Sequence, residues 1–390
     1  MRYDFLMPGE TIFGWGRRDE LPRCVARFSQ RAWIVSGSQT LNTNGVLDEM
    51  LADLMNAGIE ATLLTTIRHE PEVSDVDAVT AKLLSYRPSD EDAIVALGGG
   101  SAIDLAKAVS AMVTNREGES VADYLEGVGK GFKIVRSPLP MVAVPTTAGT
   151  GSEATKNAVI SSYDPPFKKS LRSELMIPKC VIWDPELTVS GPPHVTAHSG
   201  MDAITQLIES YISRRAAPIP QALVRSAFAG AISSIVTAVE HPTDRAAREQ
   251  MAHAAFLSGV SLANSGLGLA HGVAAALGSI ARVPHGLACA MLLPSALEAN
   301  CDVARTELAT LARIGLQKGI INEYTAVDAL MEHIDSLLDR LKIPRCLSDV
   351  GVTEAMIPAL VQGSSHGNSL SGNPRDISDE ELTQILKDML

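Results

Sequence analysis

The sequence has few aromatic residues, no clustered cysteines and no block of like charge. Phe, Trp and Tyr make up 4% of the 390 residues, so the core must be built from the aliphatic side chains within a hydrophobic fraction of 46%. The five cysteines (Cys24, Cys180, Cys289, Cys301 and Cys346) show no CxxC spacing, which argues against a zinc ribbon and a disulfide framework. A net charge of −12 argues against binding to nucleic acid or to an anionic membrane.

The N-terminus lacks the apolar core of a signal peptide, and one long stretch lacks charge. Residues 254–281 contain no Asp, Glu, Lys or Arg and are long enough to span a bilayer. The stretch is rich in Gly, Ala and Ser and contains Asn264 and His271. This composition favours buried helices of a soluble protein over a membrane span. We therefore expect a cytoplasmic protein with no membrane or nucleic-acid partner.

Short β-branched runs alternate with helical patterns through the first half of the chain. The strands are predicted at 32–36, 61–66, 93–97, 141–144, 159–162 and 181–183, and the helices at 46–56, 76–84 and 103–113. Strands separated by helices indicate parallel βαβ units and hence a doubly wound, mostly parallel sheet.

From residue 195 onward almost every segment has a helical pattern. Breaks are predicted at Pro218, Pro242, Pro284, Pro294 and Pro344. The change in character predicts an α/β domain over residues 1–188 and an all-helical domain over residues 189–390.

Two polar loops follow predicted strands. Gly98-Gly99-Gly100-Ser101 joins a strand to a helix, where glycines let the backbone approach a phosphate at the positive end of the helix. Residues 145–153 (PTTAGTGSE) offer four hydroxyl side chains and two glycines. Each loop alone also fits a tight turn or a helix cap. Both together, at the carboxyl ends of strands, predict a nucleotide site, although the GxGxxG fingerprint of ordinary dinucleotide-binding sheets is absent.

Asp202, His271 and His285 lie among residues with almost no charge. Asp202 and Gln206, four residues apart, project from one helix face. A single His on an apolar face is usually a hydrogen-bonded core residue, whereas an Asp in an apolar helix is costly unless it is paired or binds a metal. Together the three residues predict an Asp/His/His metal site with a position left for water or substrate.

With these residues the chain resembles the iron-containing (group III) alcohol dehydrogenase family, which has the dehydroquinate synthase-like fold. The matching stretches keep the family's order and span nearly the whole chain: GGGSAIDLAK (98–107), PTTAGTGSE (145–153), DPELT (184–188), GMDAITQLIE (200–209), His271 with PHG (284–286), and NPR (373–375). The resemblance implies a nucleotide-binding domain, a helical metal domain, a dimer or higher homo-oligomer joined through N-terminal strands, and reversible oxidation of a small alcohol.

The resemblance also implies roles for individual residues. Asp202, His271 and His285 match three of the family's four ligands for Fe²⁺ or Zn²⁺ and are the expected catalytic residues. Lys168 or Lys169 should reach the ribose of NAD or NADP, with Lys169 as our working assignment. The other expected cofactor residues are Gly98, Gly99, Gly100, Ser101, Asp104, Thr146, Thr147, Thr150, Asn157 and Leu187.

Two departures from the family pattern concern the metal site. The fourth ligand, a His, is replaced by Gln206, whose amide oxygen binds Fe²⁺ or Zn²⁺ more weakly, so Gln206 or water would complete the site. A second family His, which faces the substrate, is replaced by Ala275. His198, one helical turn before Asp202, is a candidate substitute as a proton relay, the alternative being a histidine of a loop or helix start.

A third departure concerns the ribose. Many NAD-preferring members have an Asp after the strand that here ends in Ser36-Gly37-Ser38. Without that carboxylate a 2′-phosphate is not repelled, and the two hydroxyls can bind it. We therefore add Gly37 and Ser38 to the cofactor residues and expect a preference for NADP over NAD.

The sequence thus predicts an oxidoreductase that catalyses metal-assisted, reversible hydride transfer between a small alcohol or aldehyde and NAD(P). One alternative keeps the fold without the metal, as in maleylacetate reductase-like enzymes, where charged side chains polarise the carbonyl. The other alternative is a catalytically degenerate nucleotide-binding or scaffold protein.

Overall fold

The strands alternate with helices in the first half of the chain, and the second half is helical. The computed structural model describes residues 2–37, 40–317, 319, 321–365 and 369–390. The strands are β1 (Glu10–Phe13), β2 (Arg31–Gly37), β3 (Glu60–Ile67), β4 (Ala93–Gly98), β5 (Met141–Pro145), β6 (Asn157–Tyr163), β7 (Pro166–Arg172) and β8 (Cys180–Trp183). The helices of this half are α1 (Leu21–Ala26), α2 (Thr40–Thr43), α3 (Val46–Asn56), α4 (Val73–Ser85) and α5 (Gly100–Thr114).

Six strands form one sheet in the order β1-β8-β5-β4-β2-β3, and every pair in it is parallel. Along β2 the side chains alternate between two cores, because Trp33 and Val35 face one cluster while Ala32 and Ile34 face the other. Both faces of the sheet are therefore covered, which is why β4 is buried throughout. The predicted doubly wound, parallel sheet is confirmed.

A hairpin departs from the predicted order of strands. The strand predicted at 159–162 lies within β6, but β6 pairs antiparallel with β7 in a separate two-stranded sheet. We predicted neither β7 nor β1. The sequence of β7, PFKKSLR, lacks a run of β-branched residues, and its pairing with β6 rather than its own pattern makes it a strand.

From Pro193 onward, the described residues form helices and turns without strands. The helices are α6 (Pro193–Ile212), α7 (Pro218–Glu240), α8 (Arg245–Ser265), α9 (Leu269–Ala281), α10 (His285–Asn300), α11 (Arg305–Leu316), α12 (Glu323–Arg340), α13 (Ile357–Ser365) and α14 (Asp379–Asp388). The last strand ends at Trp183 and α6 begins at Pro193, so the change falls around residues 188–189. The division into two domains there stays a prediction.

The predicted break at Pro294 is wrong. Pro218 begins α7 and Pro284 caps α10, positions where the missing N–H costs nothing. Pro294, in contrast, lies inside α10, where a proline costs about 3 kcal/mol. The apolar residues on either side, among them Leu293 and Leu297, are fully buried, and this packing keeps the helix intact.

The charge-free stretch 254–281 is not one straight helix. It comprises the end of α8 and the whole of α9, which meet at an angle of 100°. Most of this stretch is buried against the rest of the fold. Among the described helices, α7 alone is long and apolar enough by itself to cross a membrane, and 44% of that window is buried. Core helices meet the same test, so this is weak evidence for a membrane span.

Candidate active site

The carboxyl ends of β2, β4 and β5 meet at one edge of the sheet. Ser36 of β2 pairs with Leu97 of β4, and Gly98 of β4 pairs with Pro145 of β5. The chain leaves β2 toward β3 on one side and later enters β4 on the other, so the strand order reverses between β2 and β4. Open α/β sheets bind their ligands at such a point.

The glycines after β4 leave the start of α5 open. Gly99 caps this 15-residue helix with no side-chain hydrogen bond, and the first turn of a helix has backbone N–H groups without an intrahelical partner. A Cβ on Gly98 would lie 2.7 Å from Cβ of Ala102 and 2.8 Å from N of Gly37. Glycine is therefore needed at this position, and the start of α5 beyond it can offer backbone N–H groups to an anion.

The threonine loop (residues 146–150) lies directly against these glycines. Thr146 N–H donates to the carbonyl of Gly98 at 3.0 Å. A Cβ on Gly99 would lie 2.9 Å from Oγ1 of Thr147, and one on Gly100 would lie 2.7 Å from Cγ2 of Thr150. We call the glycines 98–100 and the threonine loop together the nucleotide edge. It brings together six of the thirteen residues predicted to bind the cofactor.

One other predicted cofactor residue, Gly37, borders the same edge. Gly37 ends β2 beside Gly98, whereas Ser38 lies outside the described residues. Leu187 is buried and lines a cavity of about 210 Å³ together with Leu41 and Asn44. This cavity borders α2, the first helix after β2.

Asp104 and Asn157 have contacts within the fold. Asp104 is buried, with Oδ2 accepting from Val159 N–H at 3.0 Å and Oδ1 3.5 Å from Nζ of the buried Lys107. Asn157 begins β6, and its backbone carbonyl accepts from Lys107. Both residues join α5 to the hairpin, and their role in cofactor binding stays a prediction.

Of the two lysines left open by the sequence, Lys168 faces the site. Its Nζ lies 2.7 Å from Oε2 of Glu70, and its side chain is 8% exposed. Burial of His285 and the positive charge of Lys168 both lower the pKa of His285, a predicted metal ligand. Which of Lys168 and Lys169 reaches the ribose stays a prediction.

Asp202, His271 and His285, which we call the metal group, converge from three helices. Oδ1 of Asp202, on α6, lies 3.1 Å from Nε2 of His271, on α9. The same oxygen lies 4.0 Å from Nε2 of His285, the first residue of α10. The rings of the two histidines are 5.5 Å apart and nearly edge to face. Residues up to 83 positions apart in sequence, 202 and 285, thus form one cluster.

Glu209 orients His271 and was missed by our sequence interpretation. Its Oε2 lies 2.7 Å from Nδ1 of His271, and Oε1 accepts from the N–H of Ala270 at 2.7 Å. The carboxylate therefore caps the start of α9 and directs Nε2 of His271 toward Asp202. A carboxylate behind a ligating histidine is typical of metal sites. The signal was its place on α6, seven residues after Asp202 and so on the same helix face.

The NPR stretch supports the same helix start. Oδ1 of the buried Asn373 accepts from the N–H of Leu269 at 3.2 Å and from Nδ2 of Asn300 at 3.0 Å. Asn373 in turn donates to Oδ1 of Asn300 at 2.8 Å. This amide pair links α9 and α10, which carry the two histidines.

Cys289 is a further member of the cluster that our sequence interpretation missed. Its Sγ lies 3.7 Å from Nε2 of His285, one helical turn earlier on α10. One ligand atom from each of Asp202, His271, His285 and Cys289 lies within 4.8 Å of every other. The signal in the sequence was the spacing of four residues after a predicted metal ligand.

Gln206 and His198, two of the predicted site residues, have other partners. Oε1 of Gln206 accepts from Ser258 Oγ at 2.6 Å, and its Nε2 donates to the carbonyl of Thr150 at 3.3 Å. The amide therefore joins α6 to α8 and to the threonine loop. The ring of His198 lies 5.9 Å from that of His194. The roles predicted for Gln206 and His198 stay predictions.

The electrostatics of the metal group favour a cation. Burial opposes ionisation of Asp202, but the hydrogen bond with His271 and the imidazole of His285 outweigh it, so its pKa lies below the usual value. Burial and the charge of Lys168 lower the pKa of His285 to about 4, so its ring is neutral. Burial lowers the pKa of His271, but the Cys289 sulfur and the hydrogen bonds with Asp202 and Glu209 raise it well above the usual value, so this imidazole holds a proton that a metal would displace. Carboxylate and neutral imidazole are ligands for divalent metals. The donor set fits a divalent cation.

Comparison with known protein families identifies the family of this chain. Residues 8–185 match the model of iron-containing alcohol dehydrogenase, and residues 196–390 match that of the Fe-containing alcohol dehydrogenase family, C-terminal. The chain belongs to the iron-containing alcohol dehydrogenase family. It is therefore an oxidoreductase of the alcohol dehydrogenase type, as the sequence predicted.

Individual relatives cover nearly the whole chain. The probable alcohol dehydrogenase EutG of Escherichia coli is 34% identical over 98% of this chain and 93% of its own length. The choline dehydrogenase of Bacillus subtilis is 35% identical over 88% of this chain and 84% of its own. The NADPH-dependent butanol dehydrogenase of Clostridium saccharobutylicum is 29% identical over 98% of this chain and 97% of its own.

Solved structures confirm the fold. The alcohol dehydrogenase from Oenococcus oeni has a TM-score of 0.91 and 29% identity, with 100% of both chains covered. A 1,3-propanediol oxidoreductase has a TM-score of 0.91 and 27% identity, also with 100% of both chains covered. The family uses NAD(P) and iron or a similar divalent metal, so the coarse prediction of cofactors holds.

Proposed function

We propose that the protein interconverts small alcohols and aldehydes with NAD(P) and one divalent metal ion, Fe²⁺ or Zn²⁺, held by Asp202, His271 and His285. One observation carries the proposal. Gln206, one turn after Asp202 on α6, donates a hydrogen bond to Thr150 of the nucleotide edge. The helix that carries Asp202 therefore contacts the nucleotide edge, and we infer that both sites border one cleft.

When bound, the metal supplies Lewis-acid stabilisation of negative charge on the substrate oxygen, and NAD(P) exchanges a hydride with the substrate carbon. The protein's own residues do the positioning. The open start of α5 binds phosphate, the threonine loop orients the nucleotide, and Glu209 holds His271 with Nε2 facing Asp202. Holding both reactants in one cleft lowers the entropic cost of reaction.

For the cofactor we propose a preference for NADP over NAD. Ser36, Gly37 and Ser38 offer no carboxylate that would repel a 2′-phosphate. An NADPH-dependent butanol dehydrogenase is among the relatives, which supports the proposal without deciding it. The ratio of kcat/KM for the two cofactors tests it, and a strong preference for NAD would overturn it.

A small alcohol or aldehyde is the proposed substrate, and a homodimer or higher homo-oligomer is the proposed assembly. Relatives named for butanol, choline and 1,3-propanediol support the class of substrate. β1 lies at one edge of the sheet and pairs there only with β8 among the described strands. An edge strand offers unpaired N–H and C=O groups to a second copy. A cytoplasmic location without membrane or nucleic-acid partners also stays a proposal.

Removal of the metal tests the proposed function. We expect a chelated, metal-free protein to lose turnover of a panel of small alcohols and aldehydes, and Fe²⁺ or Zn²⁺ to restore it, with nicotinamide absorbance as the measurement. Full turnover without metal would favour the maleylacetate reductase-like alternative. No turnover of any member of the panel with either cofactor would support the degenerate nucleotide-binding alternative.

A further inference from the structure

We propose that Cys289, as a thiolate, is the fourth protein ligand of the metal, in place of Gln206. The resulting Asp/His/His/Cys set is expected to favour Zn²⁺ over Fe²⁺ more strongly than an Asp/His/His set does. This inference rests on the proposed function to the extent that it takes Asp202, His271 and His285 as the other ligands.

The position of the Cys289 sulfur beside the other ligands is the first reason for this assignment. Cys289 follows His285 by one turn on α10, and its Sγ lies 3.7 Å from Nε2 of His285. Ligands at about 2.0–2.3 Å from a tetrahedral metal lie roughly 3–4 Å from one another. The Sγ–Nε2 distance and the 3.1 Å between Asp202 and His271 fall in this range. All four ligand atoms lie within 4.8 Å of one another, so small side-chain rotations suffice to close the set.

The hydrogen bonds that already engage Gln206 are the second reason to assign Cys289 as the ligand. Both ends of the Gln206 amide are engaged, because Oε1 accepts from Ser258 at 2.6 Å and Nε2 donates to Thr150 at 3.3 Å. Using this oxygen as a strong ligand would compete with the Ser258 contact in a buried site. The Cys289 sulfur has hydrogen-bond contacts with His285 and His271, both members of the metal group. The thiol can therefore turn to a metal without losing an outside partner.

The difference between a thiolate and an amide oxygen as metal donors is the third reason. A metal-coordinated thiol is deprotonated outright, and thiolate is a softer donor than an amide oxygen. Soft donors favour Zn²⁺ over Fe²⁺. Cys289 is fully buried, whereas the side chain of His285 is 29% exposed, so the sulfur would bind from the inner side of the group. Four protein ligands fill a tetrahedral shell, so the substrate oxygen would add from the exposed side as a fifth ligand.

Cobalt substitution tests the assignment. The full-length protein is stripped of metal and loaded with one equivalent of Co²⁺, whose bond to a thiolate gives a charge-transfer band in the near ultraviolet. We expect this band in the wild type and in Gln206→Ala, and its loss in Cys289→Ser. We expect Zn²⁺ affinity in Cys289→Ser to fall by at least about 100-fold, since loss of an outer partner alone costs about 10–100-fold. The ratio of Zn²⁺ to Fe²⁺ affinities should fall as well.

Cys301→Ser is the matched control, because Cys301 follows the same helix but is only partly buried. It should keep the band and the affinity. A wild-type spectrum without the band, a band that persists in Cys289→Ser, or a band lost in Gln206→Ala would each overturn the assignment. A wild-type spectrum without the band contradicts the assignment even where a variant fails to fold. Because Glu10, Cys24 and Cys180 form a second group that could hold a metal, a wild-type band supports the assignment only together with its loss in Cys289→Ser. Full turnover by the metal-free protein would contradict the proposed function instead, whatever the spectrum.

Discussion

The nucleotide edge and the metal group are built on opposite principles. The nucleotide edge consists of backbone and small residues in two short loops, and its shape depends on side chains being absent at Gly98, Gly99 and Gly100. The metal group consists of charged and polar side chains from α6, α9 and α10 that no local segment brings together. The first region is therefore sensitive to added volume, and the second to lost charge.

The largest effect is expected from Asp202→Asn. The change removes the one carboxylate of the metal group while keeping its shape, and metal catalysis supplies several kcal/mol of charge stabilisation. We expect kcat/KM to fall by about 10³-fold or more, since about 1.36 kcal/mol corresponds to tenfold. Binding of NAD(P), measured by fluorescence titration, should stay unchanged. A variant that keeps its metal and its activity would contradict the comparison.

A smaller effect is expected from Glu209→Gln, which replaces the carboxylate behind His271 with a neutral amide. The amide still offers an oxygen to cap α9, but it holds the imidazole less firmly. We expect metal affinity to fall by about 10–100-fold, measured by competition with a chelating dye. The exposed Glu298, changed to Gln, is the control and should bind metal as the wild type does. Equal affinity in both variants would show that Glu209 only caps the helix.

On the nucleotide side, Gly98→Ala adds one methyl group. Its Cβ would lie 2.7 Å from Ala102 and 2.8 Å from the backbone of Gly37. We expect a loss of about 1–3 kcal/mol in the free energy of unfolding, together with weaker cofactor binding and normal metal content. Gly278→Ala on α9 is the control, because its Cβ would meet neighbours only at 3.6 Å or more. Denaturant unfolding of both variants measures the difference, and equal stabilities would contradict the close packing described here.

The smallest effect is expected from His198→Ala. The ring of His198 lies against His194, and burial and that neighbour lower the pKa of His198. We expect kcat/KM to change by less than about threefold, with an unaltered pH profile, whereas loss of a proton relay costs about 10²–10⁴-fold. A loss of that size, with a changed pH profile, would instead support His198 as the proton relay that the sequence suggested.

The same contrast explains what the sequence could predict. Each of the two loops, 98–100 and 146–150, is one continuous segment of the chain. Its residues and its place after a strand were therefore visible in the sequence. The parallel sheet followed from the alternation of strands and helices. The hairpin strand β7 was not visible, because its partner rather than its own pattern makes it a strand.

The metal group was visible only in part. Asp202, His271 and His285 stood out as polar residues in apolar surroundings and by resemblance to the family. Glu209 lay within a quoted stretch, but its role depends on where the start of α9 falls, which is a tertiary fact. Cys289 was counted among scattered cysteines, although its spacing from His285 was the available signal. The break predicted at Pro294 was wrong, because packing of the buried residues around it outweighs the local cost of a proline inside a helix.

Anomalous diffraction from crystals loaded with Zn²⁺ and NADP tests the central claim most directly. The account predicts one strong peak within about 2.0–2.3 Å of Oδ1 of Asp202, Nε2 of His271 and Nε2 of His285, on the side of the cleft that faces the nicotinamide ring. A peak bound by other residues, or no peak at these three at saturating Zn²⁺, would contradict it.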